Sequence, residues 1–170
     1  MAHIVPALIH QVSREVYDQI GVVAGVVTGG AMIVREVVQF IQSERQMTLE
    51  PPSCLVLRHT HDDGEEIYGV TNDDEQWLGQ WRKEHQGRSP QVLLVDDVIY
   101  SSKTAVACVE VLRRLGMPVK AMLHIAGTRE ARPKLLKDIA QGCLFEFDAG
   151  PIYRPRSCPM CLAGQEKTIL

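Results

Sequence analysis

The chain has 170 residues, a length typical of a single domain. Hydrophobic residues make up 45% and charged residues 23%, which excludes a disordered chain. The formal charge is −3 and aromatic residues are only 5%, so we expect neither a membrane partner nor a nucleic-acid partner. The chain carries five cysteines, an odd number that favours free thiols. Its first residues lack the basic, apolar pattern of a signal peptide, and no apolar run approaches the roughly 20 residues of a membrane span. These features predict a cytoplasmic protein.

Apolar periodicity in the first half of the chain predicts four elements. One helix is expected over 8–20, because its apolar residues recur every fourth position. The β-branched run 21–27 reads as a buried strand, and a helix is expected around 34–41. A second strand is expected over 53–58, after two prolines.

Residues 59–90 differ from the rest of the chain. They are polar, contain both tryptophans and lack a strong periodicity. A long segment of this kind in a compact domain is more often functional than a plain connection.

The second half of the chain alternates again between strands and helices. Its strongest strand is expected over 92–95, followed by a helix over 105–115 and a strand over 119–125. A further helix over 133–140 and a strand over 143–147 complete the pattern.

This alternation predicts an α/β fold with a mostly parallel sheet of about five strands flanked by helices. We expect residues 1–150 to form the core and 151–170, which are loop-like, to form a small C-terminal hood or tail of the same domain. Ligands in such sheets bind at the carboxyl ends of the strands.

Adjacent carboxylates and a cluster of hydroxyl groups mark the segment 92–104. Asp96 and Asp97 follow the strongest strand, and a helix starts a few residues later. Free N–H groups and the positive dipole end of that helix attract phosphate. The carboxylates, expected near the surface, could then meet sugar hydroxyls or a magnesium ion. The competing interpretation is a capped helix with two solvated aspartates.

The run from Val92 to Thr104 resembles the phosphoribosyl pyrophosphate (PRPP) signature of type I phosphoribosyltransferases. That signature has four apolar residues, two acids, two apolar residues and a short loop that ends in Thr or Ser. The run from Gly25 to Ala31 is similar to the pyrophosphate loop of the same family. The resemblance covers residues 20–148 and is closest to the orotate type.

The resemblance implies a role for each matching residue. Asp96 and Asp97 would be the catalytic acids that hold the ribose hydroxyls of PRPP, with Mg²⁺ bridging nearby. The 5′-phosphate would be held by Tyr100, Ser101, Ser102, Lys103 and Thr104. The pyrophosphate would be held by Thr28, Gly29, Gly30 and Arg58.

The resemblance also implies an activity. A nitrogenous base would displace pyrophosphate from PRPP, and residues 59–90 would form a lid that excludes water. The family's members suggest a homodimer.

Two positions depart from the family pattern. Ser102 stands where the family usually has glycine, and a serine held there at positive φ would be strained by roughly 1–2 kcal/mol. Tyr100 replaces an acidic residue of the purine-type enzymes, which argues against a hypoxanthine-guanine enzyme. The lysines that orotate-type members carry after Arg58 are also missing. Because of Ser102 and the missing lysines, a non-catalytic protein that senses PRPP or a nucleotide on the same fold stays open as an alternative.

Two further patterns bear on metal binding and on nucleotide hydrolysis. Cys158 and Cys161 form one half of a zinc knuckle or a redox pair, and ordinary thiols are the simpler interpretation. A nucleoside triphosphatase is disfavoured, because Ala31 and Met32 stand where its phosphate-binding loop needs Lys and Ser or Thr.

Overall fold

The computed structural model describes residues 3–27, 29–46, 53–60, 66–84, 89–100, 102–128 and 136–148, without the side chains of 58–60 and 82. The helices are α1 (Ile4–Ile9), α2 (Arg14–Asp18), α3 (Gly29–Glu44), α4 (Asn72–Glu84) and α5 (Lys103–Arg114). The strands are β1 (Ile20–Val26), β2 (Ser53–Thr60), β3 (Glu66–Gly69), β4 (Gln91–Ile99), β5 (Val119–Thr128) and β6 (Ala140–Phe147).

The strands form one six-stranded sheet in the order β3-β2-β1-β4-β5-β6. All neighbouring pairs are parallel except β2 and β3, which are antiparallel. The predicted α/β fold with a mostly parallel sheet is therefore confirmed. The additional strand is β3, which was not predicted.

The sheet is buried between two helical layers. Side chains of α1, α2 and α3 pack with Val23, Leu93 and Val95 on one face. Side chains of α4 and α5 pack with Val22 and Leu94 on the other face. Successive residues of a strand point to opposite faces, which explains why the central strands read as continuous apolar runs.

Strand β4 is longer than the sequence predicts. It continues past Val95 to Ile99, and Asp96, Val98 and Ile99 pair with β5. The two acids therefore belong to the strand instead of following it. The register with the neighbour β1 is recorded as far as the pair of Gly25 with Val95, so the two acids lie at the carboxyl end of that strand.

The expected single helix over 8–20 is wrong. Two short helices, α1 and α2, take its place, and Ser13 caps the second by accepting a hydrogen bond from the Val16 N–H at 3.4 Å. The N–H of Val12 donates to the Ile9 carbonyl at 3.0 Å, which turns the chain between the helices. Serine favours helix starts because its hydroxyl satisfies an unpaired N–H.

Two other segments also differ from the predictions. Residues 66–84 are not an irregular excursion, because they form β3 and α4, and the Leu78 side chain of α4 is buried in the core. The expected helix over 133–140 is wrong in its described part. There the Ile139 N–H donates to the Leu136 carbonyl in a turn, and β6 starts at Ala140.

Among the described residues, the helices are too short or too polar to span a bilayer.

Candidate functional site

A cleft opens at the carboxyl ends of β1 and β4, the two central strands of the sheet. The chain leaves β1 through α3 on one face and leaves β4 through α5 on the other. Because the two connections diverge, a crevice forms between the strand ends, and ligands of open α/β sheets bind at such points. The cleft has a volume of about 200 Å³.

Both motifs singled out in the sequence line this cleft. The first contributes Gly29, together with Val26 and Val27 at the end of β1. The second contributes most of the wall, namely Asp96, Asp97, Val98, Ile99, Tyr100, Ser102, Thr104 and Ala105. The two segments therefore meet at the carboxyl ends of β1 and β4.

Glycine is required where α3 begins, because the chain there approaches β4 closely. A Cβ atom on Gly29 would stand 2.0 Å from Oδ2 of Asp97, and one on Gly30 would stand 2.4 Å from the carbonyl oxygen of Val95. No real Cβ tolerates such distances. The two glycines therefore let the first turn of α3 lie against the second acid and the backbone before it.

Asp96 is buried, contrary to the expectation that both acids lie near the surface. It is only 7% exposed, because β4 continues beyond it and α5 covers that face of the sheet. The pKa of Asp96 is raised to about 7, mainly by burial and in part by the Asp97 carboxylate. The backbone N–H of Asp97, which donates to Oδ1 of Asp96 at 2.9 Å, opposes that rise.

Asp97 is half-buried and faces the beginning of α3. Its Oδ1 accepts a hydrogen bond from the N–H of Val98 at 2.7 Å, which fixes the orientation of the carboxylate. The two acids thus stand in different environments, as expected for successive residues of a strand. One acid can hold a proton near neutral pH, whereas the other lies beside the glycine turn.

The turn before α5 has the conformation expected of a phosphate loop. Ser102 is the N-cap of α5 with φ 59° and ψ −3°, the left-handed region that favours glycine. It is buried, and its carbonyl accepts the N–H of Val106 at 2.9 Å. The Ser102 side chain makes no capping hydrogen bond. The positive end of α5 is therefore directed at the cleft.

Of the other described residues predicted to bind the 5′-phosphate, two line the cleft and one does not. Tyr100 lines the cleft, is 41% exposed, and its ring centroid lies 6.1 Å from that of Phe147. Thr104 also lines the cleft. Lys103 begins α5 with an exposed side chain and is not among the lining residues that the structure describes.

Several predicted site residues lie outside the described part of the chain. They are Thr28, Ser101, Cys158 and Cys161, together with the tail 151–170 and the lid segments 61–65 and 85–88. The backbone of Arg58 pairs with Tyr68 in the β2–β3 hairpin, and its side chain is outside the description.

Tyr68 is a neighbour of the site that the sequence analysis missed. Its hydroxyl lies 3.4 Å from Oγ1 of Thr104 and donates to the Glu66 carboxylate at 3.1 Å. A signal was available, because Asp63-Gly64 is a common hairpin dipeptide and Ile67 and Tyr68 favour strands. The polar composition of the surrounding segment hid it.

No described cluster of His, Cys, Asp or Glu supplies three ligands to a metal ion. The two carboxylates nevertheless fit Mg²⁺, which prefers oxygen ligands and is commonly held by one or two acids plus phosphate oxygens of a substrate. Asp97 is the better ligand of the two, because the raised pKa of Asp96 disfavours its ionised form.

No family model matches the chain, and no curated protein matches it in sequence. Solved structures do match it. An orotate phosphoribosyltransferase from Aeropyrum pernix aligns with a TM-score of 0.61 at 19% identity, covering 85% of this chain and 70% of its own. A purine phosphoribosyltransferase from Pyrococcus horikoshii aligns with a TM-score of 0.58 at 15% identity, covering 89% and 92%.

A third similar structure is a hypothetical protein from Neisseria gonorrhoeae with bound ppGpp. Its TM-score is 0.55 at 16% identity, and the alignment covers 96% of this chain and 94% of that one. At such identities the likeness concerns the fold. The chain has the fold of the type I phosphoribosyltransferases, as its two motifs predicted.

Proposed function

We propose that the chain is a magnesium-dependent phosphoribosyltransferase. It would transfer the 5-phosphoribosyl group of PRPP to a nitrogenous base, with orotate as the first acceptor to test, and release pyrophosphate. The main support is the meeting of Gly29 with Asp97 in a cleft that also holds the left-handed turn at Ser102. Similar folds in orotate, purine and adenine phosphoribosyltransferases add to it.

In this proposal different residues of the cleft bind different parts of PRPP. The beginning of α5, with Ser102 and Thr104, binds the 5′-phosphate through N–H and hydroxyl groups. Gly29 brings the first turn of α3 close enough for its N–H groups to meet the pyrophosphate. Asp96 and Asp97 accept hydrogen bonds from the ribose hydroxyls.

The carboxylates also serve the reaction itself. Positive charge develops on the ribose as pyrophosphate leaves, and a fixed negative group nearby stabilises it. Asp97, which lies beside Gly29, would supply that charge, whereas the raised pKa of Asp96, about 7, lets that acid hold a proton. Asp97 would help to hold Mg²⁺, which would supply positive charge to the leaving pyrophosphate.

The test is release of pyrophosphate from Mg–PRPP in the presence of orotate, uracil, hypoxanthine, guanine or adenine. We expect turnover with one of these bases and none without a base. Asp97→Asn should reduce that turnover by about 10²–10³. Absence of turnover with every base, together with no binding of Mg–PRPP by calorimetry, would contradict the proposal.

A second candidate is a protein that binds PRPP or a nucleotide without turnover. Two observations favour it: a strained serine occupies the phosphate turn, and one similar structure contains bound ppGpp. Binding of Mg–PRPP or ppGpp without pyrophosphate release would select this candidate. For either candidate we propose a cytoplasmic homodimer, which sedimentation of the purified chain would check.

A further inference from the structure

Tyr68 connects the β2–β3 hairpin to the first turn of α5. It lies in β3, where its backbone pairs with Arg58 of β2. Its hydroxyl lies 3.4 Å from Oγ1 of Thr104, which stands 36 positions later in the chain. Thr104 lines the cleft, whereas Tyr68 is not among the lining residues that the structure describes. The tyrosine therefore reaches a ligand in the cleft through the threonine.

The ring of Tyr68 is held in place by packing. Its side chain is partly buried and packs against the core cluster that contains Leu94 of β4 and Leu112 of α5. Strand β3 also lies in direct contact with α5. Because a packed aromatic ring keeps one rotamer, the packing fixes where the hydroxyl stands.

Thr104 gains from a fixed neighbour because its own side chain can rotate. A threonine has three staggered χ1 rotamers, and its hydroxyl hydrogen turns as well. A ligand that binds one of these orientations has to order the side chain, which lowers its affinity. The contact with Tyr68 favours the observed rotamer, in which Thr104 lines the cleft. It thereby reduces the entropy cost of binding a phosphate there.

The proton of Tyr68 has two acceptors within reach. A tyrosine hydroxyl carries one proton, and its oxygen can also accept. The shorter contact, at 3.1 Å, is to the Glu66 carboxylate, and the longer, at 3.4 Å, is to Thr104. Because a charged acceptor forms the stronger hydrogen bond, Tyr68 donates to Glu66 in the absence of ligand. Thr104 then donates its own proton to Tyr68.

A phosphate at the beginning of α5 reverses this order. The phosphate is a charged acceptor, so it takes the hydrogen bond of Thr104 and leaves Oγ1 as an acceptor for Tyr68. Donors in such a chain polarise one another, which strengthens the bond from Thr104 to the phosphate. Glu66 is exposed, so water replaces the donor it loses at little cost.

We propose that Tyr68 is a positioning residue for the 5′-phosphate of PRPP, because it donates to Oγ1 of Thr104 when Thr104 donates to the phosphate. The inference rests on the proposed function of the cleft and adds two residues to it. Tyr68 strengthens binding of the phosphate, and Glu66 opposes it by competing for the Tyr68 proton.

Calorimetry with two ligands tests the role of Tyr68. Tyr68→Phe keeps the packed ring and removes the hydroxyl. We expect it to weaken binding of Mg–PRPP about three- to tenfold, the effect of one hydrogen bond. Binding of Mg–pyrophosphate, which has no 5′-phosphate, should be unchanged. Tyr17→Phe is the matched control, because Tyr17 packs on the opposite face of the sheet, and it should bind both ligands like the parent chain.

A double-mutant cycle with Thr104→Val separates positioning from a purely structural role. Valine has the shape of threonine without the hydroxyl, so Tyr68 has nothing to orient. In that background Tyr68→Phe should weaken binding of Mg–PRPP by less than about twofold. In steady-state turnover, Tyr68→Phe alone should raise KM for PRPP and leave kcat unchanged, since the 5′-phosphate stays bound throughout the reaction. Equal losses in both backgrounds, or with both ligands, would show that Tyr68 only supports the local fold.

Glu66→Gln tests the competition for the proton. A neutral amide holds the Tyr68 proton less strongly than a carboxylate, so we expect Mg–PRPP to bind about two- to fivefold more tightly. Weaker binding in this variant would contradict the competition.

The binding measurements also separate this inference from the proposed function. If the parent chain binds Mg–PRPP and Tyr68→Phe binds it equally well, the role of Tyr68 is wrong and the proposed function stands. If the parent chain does not bind Mg–PRPP, both are wrong.

Discussion

The carboxylate of Asp97 occupies the space that a side chain on Gly29 would need, with Oδ2 only 2.0 Å from the position of a Cβ atom. The pair joins the first turn of α3 to the second acid of β4. It explains why two motifs that lie about 70 residues apart in the chain act on one cleft: strands β1 and β4 are neighbours, and their carboxyl ends meet.

Gly29→Ala should therefore damage both fold and site. The new methyl group must displace Asp97, and we expect a loss of about 1–3 kcal/mol in the free energy of unfolding. Urea unfolding measures it. Gly79→Ala is the matched control, because a Cβ at Gly79 of α4 meets nothing within 4 Å. Alanine in that helix should stabilise by about 0.5–1 kcal/mol. Equal effects at both glycines would contradict the close contact with Asp97.

Asp96 should make the folded state less stable as pH rises. Its pKa is raised in the folded protein, from 3.8 to about 7, so folding favours the protonated form. That stabilisation is complete below about pH 4 and is lost as pH rises through about 7. The difference between the two pKa values corresponds to as much as about 4 kcal/mol.

Asp96→Asn removes this dependence. We expect the variant to be more stable than the parent at pH 8 and to lose that advantage near pH 4, as measured by urea unfolding at both values. Asp97→Asn serves as the control at the neighbouring position. The same stability difference between Asp96→Asn and its parent at both pH values would show that Asp96 titrates normally.

Ser102→Gly should stabilise the protein. Serine at φ 59° costs about 1–2 kcal/mol, and the extra freedom of glycine in the unfolded chain returns about 0.5–1 kcal/mol. The net gain should be about 0.5–1 kcal/mol. Calorimetry should also show tighter binding of Mg–PRPP if the strained turn limits affinity.

The chain offers a matched control for that substitution. Among the described residues other than glycine, Gln46 is the second with a positive φ, at 52°. It follows the end of α3, and its side chain is exposed. Gln46→Gly should give a similar gain in stability with no change in ligand binding. A loss of stability in Ser102→Gly alone would show that the serine side chain contributes more than its backbone strain costs.

Asp97→Asn should reduce turnover by about 10²–10³, the usual effect of losing one electrostatic contact to a transition state. Stability should change little, because the asparagine oxygen can still accept the Val98 N–H now bonded at 2.7 Å. Steady-state pyrophosphate release and Tm measure the two effects. Turnover within about twofold of the parent chain would remove Asp97 from the proposed mechanism.

Local sequence patterns predicted the structure correctly where neighbouring residues alone decide it. The apolar run 92–95 predicted a continuous buried stretch of strand, since only a strand covered on both faces has no polar alternation. The strain at Ser102 was also foreseen, because the turn before α5 requires positive φ whichever residue stands there.

Predictions failed where long-range packing decides. The sequence around residue 78 did not predict α4, a polar helix that buries Leu78 in the core. A single buried side chain produces no hydrophobic periodicity. The break between α1 and α2 was missed because the apolar spacing continues across it. Ser13 nevertheless caps the start of a second helix.

The sequence by itself determined the α/β alternation, the pair of motifs and the backbone strain at residue 102, because these depend on residues close together in the chain. Only the tertiary structure decided that Asp96 is buried while Asp97 faces Gly29. Such relations depend on strand order and helix packing, which bring distant residues together and set the solvent exposure on which pKa and binding depend.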